Sequence, residues 1–344
     1  MQIFEKSNIG KVSLANKIVM PPMCMYITDN SGVANQFHFN HYGARAIGGV
    51  GLIIQEATAV NKNGRITNKD LGLWDDGDQF EVLKNLVSYV KLLNPSTKMM
   101  VQLAHAGRKV DVNSQKDFTD IIAPSSIKFN DKSLQPREMN DQDIANTKKD
   151  FIEATKRAIK AGYDGVEIHA AHGYLLHSFL SSASNKRTDN YGGNAENRVR
   201  LLKEILTEIR EFFPADKILS IRISAADYYN VAESLKESIE AVHSVESLVD
   251  AIHVSSGGLT DNAPSVYPMY QLNLAKEIKQ LTSKPIIAVG LINTKEEAEY
   301  VVKSGSADFV AMGRELLRNP NWVLLNNPNA KDLENMPLSY KRAF

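Results

Sequence analysis

Eight short apolar segments, rich in valine, isoleucine and methionine, recur along the chain. Apolar side chains at consecutive positions are typical of strands that are buried on both faces. The segments are residues 17–23, 51–57, 98–104, 165–170, 218–224, 251–255, 285–289 and 309–312. Longer segments with helical spacing separate most of them, of which 143–161, 197–213 and 294–303 are the clearest.

The alternation of strand and helix predicts parallel strands joined by right-handed crossovers. Eight such strands close a barrel more readily than they form a doubly wound sheet, and no glycine-rich fingerprint follows the first strand. We therefore predict the α/β class and a (β/α)8 TIM barrel. The connection after the third strand, residues 105–140, is long and polar, and should lie over the mouth of the barrel.

The length of 344 residues leaves the number of domains open. One barrel of about 250 residues with enlarged loops accounts for it, and two smaller domains would fit no worse. Because no linker is visible, we predict a single domain over residues 1–344, with a C-terminal tail from about residue 330.

The charge and the cysteine content narrow the possible partners. The 40 Lys and Arg residues balance 40 Asp and Glu residues, so no net field attracts nucleic acid or an anionic membrane, and neither is expected. Cys24 is the only cysteine in the sequence, which excludes an internal disulfide and suits a reducing compartment. We expect no signal peptide and no membrane helix, and hence a cytoplasmic protein.

Three polar rings, those of His169, His172 and Tyr174, follow the fourth predicted strand. The active site of a β/α barrel forms at the carboxyl ends of its strands, so these rings should meet there. Two histidines can begin a zinc site, but no third ligand lies at a convincing spacing and we expect no metal. Neutral histidines can instead donate hydrogen bonds to a substrate oxygen while a tyrosine supplies a proton. A simpler interpretation is that both histidines lie on the surface at a helix start.

Two further strand ends suggest a phosphate site. Gly290 ends the seventh predicted strand, and Gly313 and Arg314 end the eighth. Backbone N–H groups at these two strand ends bind phosphate in many barrels, although either glycine alone could simply turn the chain. After the first strand, Cys24 could be a nucleophile, but a buried inert thiol is the commoner state.

A set of motifs in this order resembles the old yellow enzyme family over essentially the whole chain. The motifs are residues 16–26 (NKIVMPPMCMY), 64–67 (GRIT), 102–109 (QLAHAGRK), 168–175 (IHAAHGYL), 187–193 (RTDNYGG), 196–198 (ENR) and 313–317 (GRELL). Cys24 and Tyr26 make the chain similar to the bacterial thermophilic-like subclass of NADPH dehydrogenases and ene-reductases.

The resemblance implies non-covalent FMN, with NADPH as hydride donor. It also implies reduction of the activated C=C bond of α,β-unsaturated carbonyl compounds, and of nitro compounds and quinones, in two alternating half-reactions. Ala57 and Gln102 would lie at the polar edge of the flavin, and Arg222 would face its N1–C2=O side. The implied FMN-binding residues are Pro21, Pro22, Met23, Cys24, Ala57, Gln102, Arg222, Ser256, Gly257, Gly290, Gly313 and Arg314.

The remaining roles also come from the resemblance. His169 and His172 would bind the substrate oxygen, Tyr174 would donate the proton, Tyr26 would line the substrate pocket, and Cys24 would tune the flavin potential. Arg342 would reach into the site of a neighbouring subunit, which implies a homodimer or homotetramer. An exposed, frayed terminus is the ordinary expectation for the tail.

Two other functions stay open at this point. A different FMN barrel, such as a 2-hydroxyacid oxidase, would share the phosphate end but would need a His–Arg pair for a carboxylate. The second open function is that of a flavin-binding or scaffold protein without catalytic turnover. From the chain length and the single cysteine, we do not expect the C-terminal iron–sulfur and second flavin module that larger relatives carry.

Overall fold

The computed structural model describes residues 1–114, 118–332 and 338–343. Within these residues the strands are β1 (Ser7–Ile9), β2 (Val12–Leu14), β3 (Ile18–Met20), β4 (Leu52–Ala59), β5 (Leu71–Gly72), β6 (Lys98–Ala104), β7 (Ile122–Ala123), β8 (Arg137–Glu138), β9 (Gly165–Ala170), β10 (Ile218–Ser224), β11 (Ala251–Ser255), β12 (Ile286–Ala288) and β13 (Phe309–Ala311).

The helices in the same ranges are α1 (Gln36–Ile47), α2 (Asp78–Leu93), α3 (Asp141–Ala161), α4 (Leu175–Leu180), α5 (Ala195–Phe212), α6 (Val231–Val245), α7 (Leu272–Leu281), α8 (Lys295–Lys303), α9 (Arg314–Arg318), α10 (Trp322–Asn326) and α11 (Leu338–Lys341). Short 3-10 helices span Gln2–Phe4, Lys62–Gly64, Glu246–Leu248 and Ala330–Asp332. Among the helices of these ranges, none has the length and apolar character that a membrane span requires.

Eight parallel strands close into a barrel in the order β3, β4, β6, β9, β10, β11, β12 and β13. The pairing of β13 with β3, and of β3 with β4, completes the circle. At least one helix follows each barrel strand before the next begins, which confirms the predicted (β/α)8 barrel. β3 is shorter than predicted and ends at Met20, because Pro21 and Pro22 have no N–H to continue the ladder.

Three small sheet elements were not predicted from the sequence. β1 and β2 form an antiparallel hairpin. Its residues Ile9, Val12 and Leu14 pack against the apolar interior at the amino-terminal end of the barrel. β5 pairs with the end of β4. The long connection after β6 contains the parallel pair β7 and β8. Segments of two or three residues are too short to show a hydrophobic period, so sequence periodicity could not predict them.

The interior of the barrel changes from apolar to polar along its axis. Its amino-terminal half is filled by apolar side chains such as Met100, Ile218 and Ile287, which are almost completely buried. Towards the carboxyl ends the buried side chains become polar; they include Gln102, Glu167, His169, Arg222 and His253. The fold therefore gathers buried polar groups from separate strands at one end of the barrel.

Candidate active site

Three aromatic rings form a compact group after β9. The ring centroids of His169 and His172 lie 5.2 Å apart, and those of His169 and Tyr174 lie 5.0 Å apart, both in edge-on contact. His172 has a φ of 59°, which is unusual for a residue other than glycine. Hydrogen bonds from its N–H to Ser224 Oγ (2.9 Å) and from Lys109 Nζ to its carbonyl oxygen (2.8 Å) hold this conformation. The chain turn thus brings both histidines to the same face.

The hydrogen bonds and burial define the protonation of this pair. The Ala171 N–H donates to His169 Nδ1 at 3.2 Å, so the proton of the neutral ring is on Nε2. His172 Nε2 lies 2.8 Å from Ser255 Oγ. Burial, followed by the charge of Arg222, lowers the pKa of both histidines well below the ordinary value. Each ring is therefore neutral near pH 7, and the Nε2–H of His169, which has no hydrogen-bond partner among the described residues, is available as a donor.

The tyrosine beside them is held in its protonated form. Burial is the main cause that raises the pKa of Tyr174 well above its ordinary value, and the nearby Cys24, Tyr26 and Asp70 raise it further. Lys109 Nζ lies 5.6 Å from the centroid of the Tyr174 ring, and burial lowers the pKa of that lysine to about 8. The hydroxyl of Tyr174 can therefore donate a proton at any ordinary pH.

A cavity of about 330 Å³ opens from this group towards the last two barrel strands. It brings together six of the residues expected at the site: His172, Arg222, Ser256, Gly290, Gly313 and Arg314. Arg222 is 7% exposed and its Nε has no hydrogen-bond partner among the described residues. A buried guanidinium with an unused donor requires an acceptor, so the cavity suits an anionic or carbonyl-bearing group.

Two glycines line this cavity at positions where neighbouring side chains leave little room for a larger residue. Gly290 has a φ of 130°, and a Cβ atom there would lie 2.9 Å from Gln271 Nε2. A Cβ atom on Gly313 would lie 3.3 Å from Met23 Sδ. Gly290 and Gly313 line the cavity beside the exposed cation of Arg314, so this wall has the small residues and the positive charge that suit a phosphate group.

Ser256 and Gly257 are already engaged within the protein. Ser256 Oγ lies 2.6 Å from Gln271 Oε1 and 2.7 Å from the Tyr228 hydroxyl. The Gly257 N–H donates to the Ala226 carbonyl at 2.8 Å, and Gly257 does not line the cavity. The structure therefore does not bring Gly257 together with the other expected phosphate-end residues.

The segment after β3 forms another side of the site. Cys24 and Tyr174 pack on one apolar cluster that contains Ala57 and Ala104. Burial is the main cause that raises the pKa of the Cys24 thiol well above its ordinary value, with Asp70 and Glu56 adding to it. The uncharged thiol is a poor nucleophile, which disfavours covalent catalysis by Cys24. Tyr26 is 42% exposed at the rim, with a φ of 53°.

Sequence reasoning assigned no role to three buried groups near the site. Glu56 accepts hydrogen bonds from the Met25 N–H (2.7 Å) and from the Tyr42 hydroxyl (3.0 Å), and so fixes the segment that carries Cys24. Glu167 and His253 lie beneath the rings, with no exposed surface. A charged residue inside an otherwise apolar strand could have identified these groups from the sequence, because such residues are rarely buried without a partner.

The C-terminal tail and a possible metal site remain to be located. Arg342 is exposed and follows α11, whereas Phe344 lies outside the described residues, as do residues 333–337. Across the part of the chain that the structure describes, no group of three or more His, Cys, Asp or Glu side chains could hold a metal ion.

The comparisons with known proteins agree with this geometry. A family model of FMN oxidoreductases, described as the NADH:flavin oxidoreductase / NADH oxidase family, matches residues 2–329. The chain belongs to this family. It is accordingly an FMN-dependent oxidoreductase of the old yellow enzyme type that uses a nicotinamide hydride donor, which confirms the resemblance seen in the motifs.

Relatives in this family match the chain from end to end. It is 44% identical over 346 residues to the NADPH dehydrogenase of Clostridium acetobutylicum, with 100% of both chains covered. It is 45% identical over 344 residues to the NADPH dehydrogenase of Geobacillus thermodenitrificans, covering 99% of this chain and 98% of the other. The structure of morphinone reductase in complex with tetrahydroNAD has a TM-score of 0.80 and 27% identity, over 93% of this chain and 89% of its own.

The residues present fit the FMN that the family requires. The Nε of buried Arg222, which has no partner among the described residues, can donate a hydrogen bond to a flavin carbonyl. The glycine-lined wall with Arg314 can bind the phosphate. One cavity connects both ends, so a single mononucleotide can bridge them.

Proposed function

We propose that this protein is an NADPH-dependent ene-reductase. It reduces the activated C=C bond of α,β-unsaturated carbonyl compounds, and also nitro compounds and quinones, in a ping-pong reaction. When bound, FMN would supply the hydride chemistry that links NADPH to the substrate. The observation that carries the proposal is a group of two neutral histidines and a protonated tyrosine, in which the His169 ring contacts both His172 and Tyr174. NADPH rather than NADH is proposed because the two relatives named above are NADPH dehydrogenases.

His169 and His172 bind the carbonyl or nitro oxygen of the substrate. The Nε2–H of His169 is free to donate because its Nδ1 already accepts from the Ala171 N–H. Negative charge develops on the substrate oxygen as the double bond is reduced, so a fixed donor stabilises the transition state more than the ground state. Each such donor contributes on the order of 1 kcal/mol to binding and more to the transition state.

Tyr174 donates the proton that the reduced alkene takes up at Cα. The raised pKa keeps this hydroxyl protonated, and the edge-on contact with His169 sets its place beside the bound oxygen. Tyr26 lines the substrate pocket from the exposed rim. Cys24 acts as an uncharged thiol next to the flavin and tunes its potential rather than forming a bond to the substrate.

FMN would occupy the cavity and the strand ends beside it. Arg222 would face the N1–C2=O side of the ring, with Ala57 and Gln102, which are partners on adjacent strands, at its polar edge. Pro21, Pro22, Met23 and Cys24 would pass along the ring. Ser256, Gly290, Gly313 and Arg314 would hold the ribityl phosphate end, and Gly257 would support them through its own hydrogen bonds. Assembly is at least a homodimer, in which Arg342 of one subunit shapes the substrate pocket of the other.

The test separates the two half-reactions in Tyr174→Phe. The proton is needed only when the alkene is reduced, so we expect slower oxidation of the reduced enzyme by cyclohexenone and an unchanged rate of reduction by NADPH. Tyr163→Phe is a matched control, because it removes another buried hydroxyl, which bonds Gln55 Oε1 at 2.6 Å outside the site. Stopped-flow traces with equal loss in both half-reactions of Tyr174→Phe would contradict the assigned role.

A simple absorbance experiment tests the reaction class. Under anaerobic conditions, the yellow colour should disappear with NADPH and return with cyclohexenone. Loss of colour with lactate would support a hydroxyacid oxidase instead. A protein whose colour responds to none of these compounds would support a flavin-binding role without turnover.

A further inference from the structure

Glu167 occupies the centre of the barrel beneath the site rings. It lies on β9, two residues before His169, and therefore faces the same interior side. Its carboxylate is completely buried and contacts side chains of two other strands, β6 and β11. Oε1 accepts from Gln102 Nε2 at 2.8 Å, and Oε2 lies 3.0 Å from His253 Nδ1. None of the roles assigned above accounts for a carboxylate at this depth.

The contact with Glu167 fixes the orientation of the Gln102 amide. A carboxylate only accepts hydrogen bonds, so the NH2 group of Gln102 has to point towards it. The carbonyl Oε1 of Gln102 is then directed away from Glu167 and serves as an acceptor. The polar edge of a flavin presents an N3–H donor between two carbonyl acceptors, so a fixed Gln102 amide has one productive orientation towards it.

The Glu167 carboxylate also acts on the cation of the site. Burial lowers the pKa of Arg222, and the Glu167 carboxylate is the largest influence that raises it. His253 does not neutralise the carboxylate, because burial and Arg222 lower its own pKa and it is present as a neutral ring. The charge of Glu167 therefore offsets part of the positive field of Arg222.

We propose that Glu167 is a positioning residue for FMN, which fixes the amide of Gln102 and sets the reduction potential by opposing Arg222. The inference rests on the proposed placement of the flavin edge at Gln102 and Arg222. Reduced flavin is anionic, so a nearby carboxylate disfavours it and keeps the potential lower than Arg222 alone would.

Two substitutions separate the amide effect from the charge effect. Glu167→Gln removes the charge and lets the Gln102 amide adopt either orientation. We expect the dissociation constant of FMN, measured by fluorescence on dilution of the holoenzyme, to rise about five- to tenfold. We also expect the midpoint potential to become more positive, with a roughly tenfold gain of reduced over oxidised FMN, which is about 30 mV for a two-electron couple.

Glu167→Asp keeps the charge but is one methylene shorter and cannot reach both partners. It should weaken FMN binding while leaving the potential close to that of the wild type. Glu237→Gln is the matched control, because Glu237 is also a largely buried carboxylate with a partner, Arg198 at 3.1 Å, but lies outside the barrel. It should change neither quantity.

The outcomes distinguish this inference from the placement on which it rests. Wild-type FMN affinity and potential in Glu167→Gln would overturn the inference. If Glu167→Gln does not fold, unchanged FMN affinity in Glu167→Asp would overturn the amide role by itself. If Gln102→Ala and Arg222→Ala weaken FMN binding while the Glu167 variants do not, only the role of Glu167 fails. If Gln102→Ala and Arg222→Ala also bind FMN normally, the placement of the flavin is wrong.

Discussion

Replacing Glu56 by glutamine should remove a pH-dependent loss of stability. The side chain is 1% exposed, and burial is the main cause that raises its pKa to about 7, from an ordinary value of 4.5. Between these two pH values the folded protein holds a proton that the unfolded chain has released. The contribution of Glu56 to stability is therefore greatest below pH 4.5, and is lost as the pH rises towards 7.

The size of the effect follows from the two pKa values. At 1.36 kcal/mol for each pH unit between them, the loss amounts to about 3 kcal/mol in total, most of it between pH 5 and pH 8. At an unfolding entropy of about 2.1 cal/mol/K per residue, the 344 residues give about 0.7 kcal/mol/K, so the melting temperature should fall by about 4 °C from this group alone.

Glutamine can keep both hydrogen bonds of Glu56 without a charge. Its carbonyl can accept from the Met25 N–H, and its NH2 group can donate to the Tyr42 hydroxyl oxygen. The measurement is the melting temperature of the FMN-bound protein at pH 5 and pH 8, compared between the wild type and Glu56→Gln. Glu211→Gln, at an exposed position of α5, controls for the loss of one negative charge.

The pH dependence of the melting temperature, compared among the three proteins, tests whether Glu56 titrates between pH 5 and pH 8. The wild type and Glu211→Gln should lose about 4 °C more than Glu56→Gln between pH 5 and pH 8. The same change in all three proteins would refute the reasoning, because it would mean that Glu56 does not titrate in this range.

Three further outcomes follow from the site. Flavin released from the purified protein should be FMN by mass spectrometry, since the cavity with Gly290 and Arg314 has one phosphate wall; finding FAD would contradict this. His172→Ala should weaken binding of phenols and enones by about fivefold, equivalent to one lost hydrogen bond, with FMN content unchanged; unchanged phenol affinity and enone turnover would remove the assigned role. Arg342→Ala should raise the apparent KM for enones at normal FMN content; a monomer by light scattering at micromolar concentration, with kinetics unaffected by the substitution, would rule out a contribution from a partner subunit.

The barrel could be predicted because its signal is local. The strands are buried on both faces and rich in apolar residues, and the predicted bounds of the strands at 98–104, 165–170, 218–224 and 251–255 agree with the structure. The position of the site followed from the fold, since strand ends of a barrel converge wherever they lie in the chain. The single-domain organisation and the role of the C-terminal tail stay predictions.

What the sequence by itself determined was therefore the fold and the residue types at the strand ends, together with the family that their motifs resemble. Only the tertiary structure decided which side chains meet inside the barrel. Glu167 contacts Gln102, 65 residues away, and His253, 86 residues away. The free Nε2–H of His169, the raised pKa of Glu56 and the engaged N–H of Gly257 likewise depend on their three-dimensional surroundings. The physical reason is that hydrogen bonding and desolvation act over a few ångströms in space, whereas periodicity and motifs report only on neighbours along the chain.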